Sequence, residues 1–506
     1  MENSKQKRRI CIIGAGPRGL VALRHLTSDS DNEVVAFEAK DDIGGLWYYQ
    51  DANTVDPKYE RLRSEDNFYK LYGSFQGSLY EDLTTNIPYF YMEFKDFSYR
   101  DIEKDIPIFI NPKQYKAYMD GYAAKFNLRP HIHFNTLVKS VRLSKNLTEE
   151  ERKNKDTSRK FVVTTVASRG GTLTEDEKYH SFDYIIVASG QYTVPYIPHL
   201  QNMENFKGIT IHCKDFRTTK SEFFHKKKIL ILGGGASAYD LVSQFFKDEN
   251  NLENFDKLIV CSKKLGHIAT SDDFKKYVEM GKLVIKHGTI KQIIGPHQIE
   301  YSDGQTEEID TLMYATGYKL YLPFFDFEKD KILDYSPTEN RGMFIGPLYK
   351  KFVAIREPSI FFLGFIEQTT LVHIIPELQS MIIKYLLQGK LSLPSQEEMF
   401  AGFEEEVRKH LEIVGDLAHF FVINLAKHYP AFDTCTEGTE WRFYRNWLSQ
   451  CYPNNDLEKA EQFTKMIVET KKAFEKEKKL GNYLTYKNHD YFEFYSKDFR
   501  NTTEFI

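Results

Sequence analysis

Through about the first 330 residues, short uninterrupted apolar runs alternate with amphipathic segments, the pattern of βαβ units feeding a parallel sheet. "RRICII" predicts a strand, "LVALRHL" the helix after it, and "EVVAFE" the next strand. In "KQYKAYMDGYAAKFNL" the residues Tyr115, Tyr118, Met119, Tyr122 and Phe126 recur at intervals of three and four, which predicts a helix with one aromatic face. "IHFNTLVKSVRL" and "KFVVTTVAS" predict short strands on either side of the polar run "SKNLTEEERKNKDTS", an exposed loop whose charges face solvent. Residues 59–107, dense in aromatic and turn residues, are expected to be irregular covering structure.

Two later segments rhyme. "FDYIIVASGQYTVPYIP" and "IDTLMYATGYKLYLPF" each give an acid, a buried strand, a small-residue turn at Gly190 or Gly317, and a proline. Each lies downstream of a glycine-rich turn, "GAGPRG" or "GGGASA". The fold class this implies is α/β, with two Rossmann-like dinucleotide-binding domains, the second inserted into the first. "SIFFLGFIEQ" and a helix over residues 376–388 return the chain to the first domain. The expected boundaries are 1–195 and 319–440 for the two parts of the first domain and 196–318 for the inserted one. Residues 441–506 are expected to form a helical, aromatic-rich tail packed on the first domain, with the charged helix "EKAEQFTKMIVETKKAFEKEKKL" facing solvent.

The turns carry the candidate chemistry. Gly14 permits a tight turn after the first strand, Gly16 lets backbone approach a pyrophosphate, and Gly19 lets helix and strand pack closely. Glu38, at the end of the next strand, stands where an acid binds ribose hydroxyls. The loop "DDIGGLWYY", with Gly45 and Trp47 so near that acid, suggests a larger cofactor folded under it, FAD rather than NAD. In the second turn Gly233, Gly235 and Ala238 take the three small-residue positions, with Ser237 and Asp240 at the helix start. The matching strand "DKLIVCSKK" ends in Ser262, Lys263 and Lys264 where an acid would favour NAD, and cations there suit the 2′-phosphate of NADPH. FAD beside NADPH means hydride passing from nicotinamide to flavin.

Composition removes several alternatives. The formal net charge of -4 over 506 residues offers no field for nucleic acid or an anionic membrane surface. The five cysteines form no CxxC pair and no metal-spaced cluster, which argues against a disulfide reductase and for a reducing compartment. The longest late apolar stretch is broken by Glu377, Gln379 and Lys384, and the polar "ENSKQKRR" after Met1 is no secretory signal, so a cytoplasmic protein without a membrane span is expected. Electrons from the flavin then go to oxygen or to some other acceptor.

Between the first linker and the second turn, "FKGITIHCKDF" sets Phe206, Gly208, His212 and Phe216 in the order FxGxxxHxxxF. With "GAGPRG", "GGLW", "GGGASA" and "ATGY", it resembles the flavin-containing monooxygenases, the class B flavoprotein enzymes. The run from "HCKDFR" through the second turn looks most like their trimethylamine-oxidising branch, and the likeness covers roughly residues 8 to 430. The resemblance implies that NADPH reduces FAD, that O2 adds to give a hydroperoxyflavin, and that one oxygen atom passes to the nitrogen of an amine or the sulfur of a sulfide. By family position, Gly14, Gly16, Gly19, Glu38, Gly45, Leu46 and Trp47, with Val138 and Gln368, should hold FAD. Tyr196, Gly233, Gly235, Ser237 and Lys263 should hold NADPH, and Asn86 should lie at the reaction centre as the catalytic residue. His212 is read as structural. Ser189 stands where the family more often has threonine, and Thr84 where the trimethylamine-oxidising branch has an aromatic.

Three other readings stay open: a Baeyer-Villiger oxygenase, an NADPH oxidase releasing peroxide, and a catalytically weak structural flavoprotein. Phe216 followed by Arg217, where Baeyer-Villiger relatives usually carry Trp and then Pro or Asp, tilts the balance to heteroatom oxygenation. A homodimer is left open.

Overall fold

The computed structural model describes residues 6–48, 77–85, 89–107, 109–169, 172–247, 249–263, 265, 268, 274–334, 345–365 and 373–414. Its largest sheet has seven strands, in the order Leu348–Tyr349, Val353–Ala354, Ile360–Phe362, Tyr184–Val187, Arg8–Ile13, Asn32–Phe37 and Ile132–His133. The last five run parallel, and the two short edge strands are antiparallel. Cys11, Ile12, Ile185 and Ile186 are fully buried, as expected of central parallel strands that read as unbroken apolar runs because both faces are covered. Helix Pro17–Thr27 covers one face and packs against helix Ile374–Leu387.

Over the other face lies an antiparallel sheet of Thr136–Leu143, Phe161–Arg169 and Thr172–Phe182. Val141, Phe161, Val163 and Phe182 share one buried cluster with Phe37 and Ile185. The third of these strands, "TLTEDEKYHSF", was not expected, because its exposed middle is charged and hides the alternation. The polar run before it is largely exposed, but it folds locally: Thr148 and Glu151 form a capping box that starts a one-turn helix, Glu149–Arg152.

The aromatic helix spans Pro112–Lys125, opened by an Asn111–Gln114 capping box, and buries Tyr115, Tyr118, Met119 and Tyr122 as the spacing predicts. Residues 77–107, where described, contain 3-10 turns at Tyr89–Met92 and Tyr99–Asp101 and no long element.

A second sheet of five parallel strands runs in the order Leu283–His287, Lys257–Ser262, Lys228–Leu232, Thr311–Tyr314, Ile209–His212. All five fall in the sequence between Tyr184–Val187 and Ile360–Phe362 of the first sheet, so the second nucleotide fold is inserted into the first. The chain crosses between them twice, and the crossings lie side by side: Val194–Pro195 pairs antiparallel with Tyr318–Lys319. The expected tail, residues 441–506, lies outside the described residues.

Candidate functional site

Each parallel sheet places one glycine turn at the carboxyl end of its central strand. Gly14, at φ +100°, donates its N–H to the Phe37 carbonyl at 2.8 Å, and a Cβ there would lie 2.8 Å from the Ala188 carbonyl oxygen. Gly233, at φ +133°, repeats the arrangement: its N–H donates to Cys261 at 2.9 Å, and a Cβ would overlap the Ala315 carbonyl. Only glycine meets both demands without strain. Gly19 lies behind the first turn, where a Cβ would overlap the Gly14 carbonyl, so its bareness lets helix and turn pack. The helices that follow start at Gly16 and Gly235, and neither N-terminus is capped by a side chain. Their first-turn N–H groups are left for an anion.

Under the first turn lies a cavity of about 330 Å3 lined by Gly14, Gly16, Glu38, Gly45, Leu46, Trp47 and Val138. Seven of the residues expected to hold FAD are thus brought together from four separate stretches of chain. Glu38 is buried and fixed by backbone: Ala15 donates to its Oε2 at 2.7 Å and Lys40 to its Oε1 at 3.0 Å. Burial pushes its carboxyl up, against the opposing pull of Lys40 and these N–H groups. Lone pairs remain on both oxygens for ribose hydroxyls. Gly45 faces Gly16 so closely that a Cβ on it would lie 3.0 Å from the Gly16 Cα. The Trp47 indole stacks on Tyr115 with centroids 4.1 Å apart, and the Tyr115 hydroxyl lies 2.6 Å from His373 Nε2.

The cavity also presents groups that ask for a ligand. Ser189 Oγ and His373 Nδ1 are buried without a hydrogen-bond partner, and both residues line it. So do the cations Arg18, Lys40 and Lys214. An acid held for hydroxyls, an uncapped helix start, bare glycines and cations together fit the polar half of a dinucleotide, while Trp47 and Tyr115 offer aromatic faces to a ring system.

On the inserted domain, Gly235, Ala236 and Ser237 are exposed at the helix start, and Lys263 is exposed one residue past strand Lys257–Ser262. Tyr196 donates its N–H to the Gly317 carbonyl at 2.9 Å and accepts on its own carbonyl from the Thr316 hydroxyl, which anchors it beside the second linker. Asn86, Gln368 and Lys264 lie outside the described residues. Thr84 is half-buried, while its neighbour Thr85 lines the cavity and accepts from the Ile110 N–H at 3.1 Å.

The FxGxxxHxxxF segment ties the two crossings together. His212 is fully buried; its Nε2 donates to the Gly317 carbonyl at 3.0 Å and its Nδ1 accepts from the Lys214 N–H at 3.1 Å. Burial drives its pKa down to about 3, so the ring stays neutral and both nitrogens are committed to backbone. Lys214, only 4% exposed, reaches the first crossing and donates to the Thr193 carbonyl at 2.9 Å. Burial above all, then Lys40 and Arg217, holds the Lys214 ammonium well below its ordinary pKa.

Sequence reasoning missed Arg18, Lys40, Tyr115, Ser189, Lys214 and His373 as cavity residues. Arg18 and Lys214 stand inside motifs that were singled out, which was a usable signal; His373 carries none.

A family model described as flavin-binding monooxygenase-like matches residues 7–252 and 247–422. The trimethylamine monooxygenase of Roseovarius sp. (strain 217) is 29% identical over 468 residues, covering 89% of this chain and 92% of that protein. The senecionine N-oxygenase of Tyria jacobaeae is 27% identical over 400 residues, covering 79% and 76%. Among solved structures, S-allyl-L-cysteine S-oxygenase from Allium sativum superposes with a TM-score of 0.68 at 22% identity, covering 99% of each chain, a likeness of fold. Among the described residues no helix is long and apolar enough to cross a membrane, and no group of His, Cys, Asp and Glu is arranged to hold a metal ion.

Proposed function

This chain belongs to the flavin-binding monooxygenase-like family and is an FAD-containing, NADPH-dependent monooxygenase; from that premise we propose that it uses O2 to oxygenate the nitrogen of amines or the sulfur of sulfides. The observation that carries this reading is the cavity that gathers Gly14, Gly16, Glu38, Leu46 and Trp47, linked by a paired two-strand crossing to a second turn of the same build. The relatives named for trimethylamine and senecionine support nitrogen as an acceptor.

When bound, FAD supplies hydride acceptance and oxygen activation. The work of this chain's residues is binding and exclusion. Glu38 takes ribose hydroxyls, the N–H groups at Gly16 take diphosphate, and Leu46, Trp47 and Val138 wall the cavity against water. Gly233, Gly235 and Ser237 receive the diphosphate of NADPH, Lys263 its 2′-phosphate, and Tyr196 closes the linker side. Asn86 is assigned the reaction centre, where an amide can donate to a developing oxyanion, and Gln368 joins the FAD set. We take the boundaries 1–195, 196–318 and 319–440 for the domain parts.

Purified protein mixed rapidly with NADPH in oxygenated buffer, without substrate, tests the reading. A long-lived absorbance distinct from oxidised and reduced flavin, collapsing on addition of an amine or sulfide, is the expected result. Immediate return to oxidised flavin with stoichiometric peroxide would replace oxygenation by oxidase activity.

A further inference from the structure

Arg18 is the residue of the cavity whose chemistry is least accounted for. It stands in the first turn of helix Pro17–Thr27, two residues past Gly16, and lines the cavity. Burial works against its charge, and the neighbours that favour that charge are the phenols of Tyr192 and Tyr115 rather than a carboxylate. His373, close enough for the guanidinium to help hold its ring neutral, leaves Nδ1 without a partner. Among the described residues, then, a half-buried guanidinium that does not lose its proton faces no counter-charge.

The chain also makes room for it. Gly364, from the segment after strand Ile360–Phe362, touches the Arg18 side chain so closely that a Cβ there would overlap Nε, with Cδ and Cζ 2.7 Å away. A bare backbone therefore shapes the slot in which the side chain lies.

We propose that Arg18 is an anion-binding residue of the FAD cavity and that its anion is the cofactor's diphosphate, which the guanidinium grips alongside the N–H groups at Gly16. The inference rests on the cavity being the FAD site. A guanidinium matches two phosphate oxygens at once, and the pairing gives a partner to a half-buried cation on one side and to a partly desolvated dianion on the other. Lys40 and Lys214, which also line the cavity, are already turned to the carbonyls of Gly45 and Thr193.

The test is titration of flavin-stripped protein with FAD, read by flavin fluorescence, with inorganic pyrophosphate as competitor. Arg18→Gln should raise the FAD dissociation constant roughly ten- to a hundredfold and abolish competition by pyrophosphate, and Arg18→Lys should recover part of both. Gly364→Ala should reproduce the loss by displacing the guanidinium, with far-ultraviolet dichroism unchanged. Wild-type affinity and wild-type pyrophosphate competition in Arg18→Gln would overturn the assignment. Wild-type FAD affinity with a selective rise in KM for a carboxylated sulfide over a neutral one would overturn it too, and move the anion to the substrate. If the wild-type protein itself takes up no FAD, it is the reading of the cavity that fails.

Discussion

Asp310 accepts a hydrogen bond from the backbone N–H of Lys228 at 2.9 Å. Asp183 does the same for Arg9 at 2.8 Å. In each nucleotide fold, the acid just before one central strand thus pins the start of its parallel neighbour, the strand that carries the glycine turn, at its first residue Lys228 in one and its second residue Arg9 in the other. The rhyme between the two linker segments has a physical cause: a parallel pair entering side by side leaves an N–H at its start that a carboxylate can satisfy.

Asp310→Ala should therefore lower the unfolding temperature of the inserted domain by the loss of a charge-assisted bond, about 1–2 kcal/mol. FAD content should not change, because the first sheet keeps Asp183. Thermal unfolding followed by dichroism and by flavin release separates the two. Simultaneous loss of flavin would show that the domains do not respond independently.

A Cβ on Gly45 would lie 3.0 Å from the Gly16 Cα, a contact that requires backbone to give way, and Gly45 also sits at φ +58°, which disfavours a side chain. Gly45→Val should yield folded protein with at least tenfold weaker FAD affinity, the order expected when backbone can no longer come near the diphosphate or the cavity is filled. The ratio of flavin to protein absorbance measures it. Full flavin occupancy would mean that the GGLW loop moves aside.

Lys263 lies exposed beyond a strand end that lacks an acid. Lys263→Ala should raise KM for NADPH roughly tenfold, by about the value of one charge-assisted contact, and leave KM for NADH nearly unchanged. Equal effects on both coenzymes would remove the 2′-phosphate assignment.

Much of this architecture was legible because its demands are local. A turn that needs φ near +100° and space for a carbonyl admits only glycine, so Gly14 and Gly233 announce themselves in the chain. Tyr115, Tyr118 and Tyr122 announce a helix by spacing alone. The strand Thr172–Phe182 did not, because Glu175, Asp176, Glu177 and Lys178 mask its alternation; it is placed by antiparallel pairing with the preceding strand Phe161–Arg169, which a pattern along one strand does not show. His373 was illegible because it meets Tyr115 only through tertiary packing, and Arg18, though it stands inside the first glycine motif, lies in a slot shaped by Gly364 that only the sheet order brings to it.

Asp215, in the linker motif, is half-buried, and its Oδ2 is enclosed without a hydrogen-bond partner. Burial raises its pKa from 3.8 to about 7, with Arg217 pulling the other way. The unfolded chain releases this proton near pH 4, whereas the fold holds it until about 7. Between those values the folded state binds more protons, so stability falls as pH rises; above about 7 both states are ionised and the penalty is constant. Asp215→Asn removes that penalty while keeping the shape of the neutral acid. The variant should therefore match wild type near pH 4 and unfold at a progressively higher temperature than wild type up to about pH 7, after which the gap is level. Unfolding scans across pH 4 to 8 measure the gap, and one that is flat in pH would mean that Asp215 is ionised in the fold throughout, held by Arg217 against its burial.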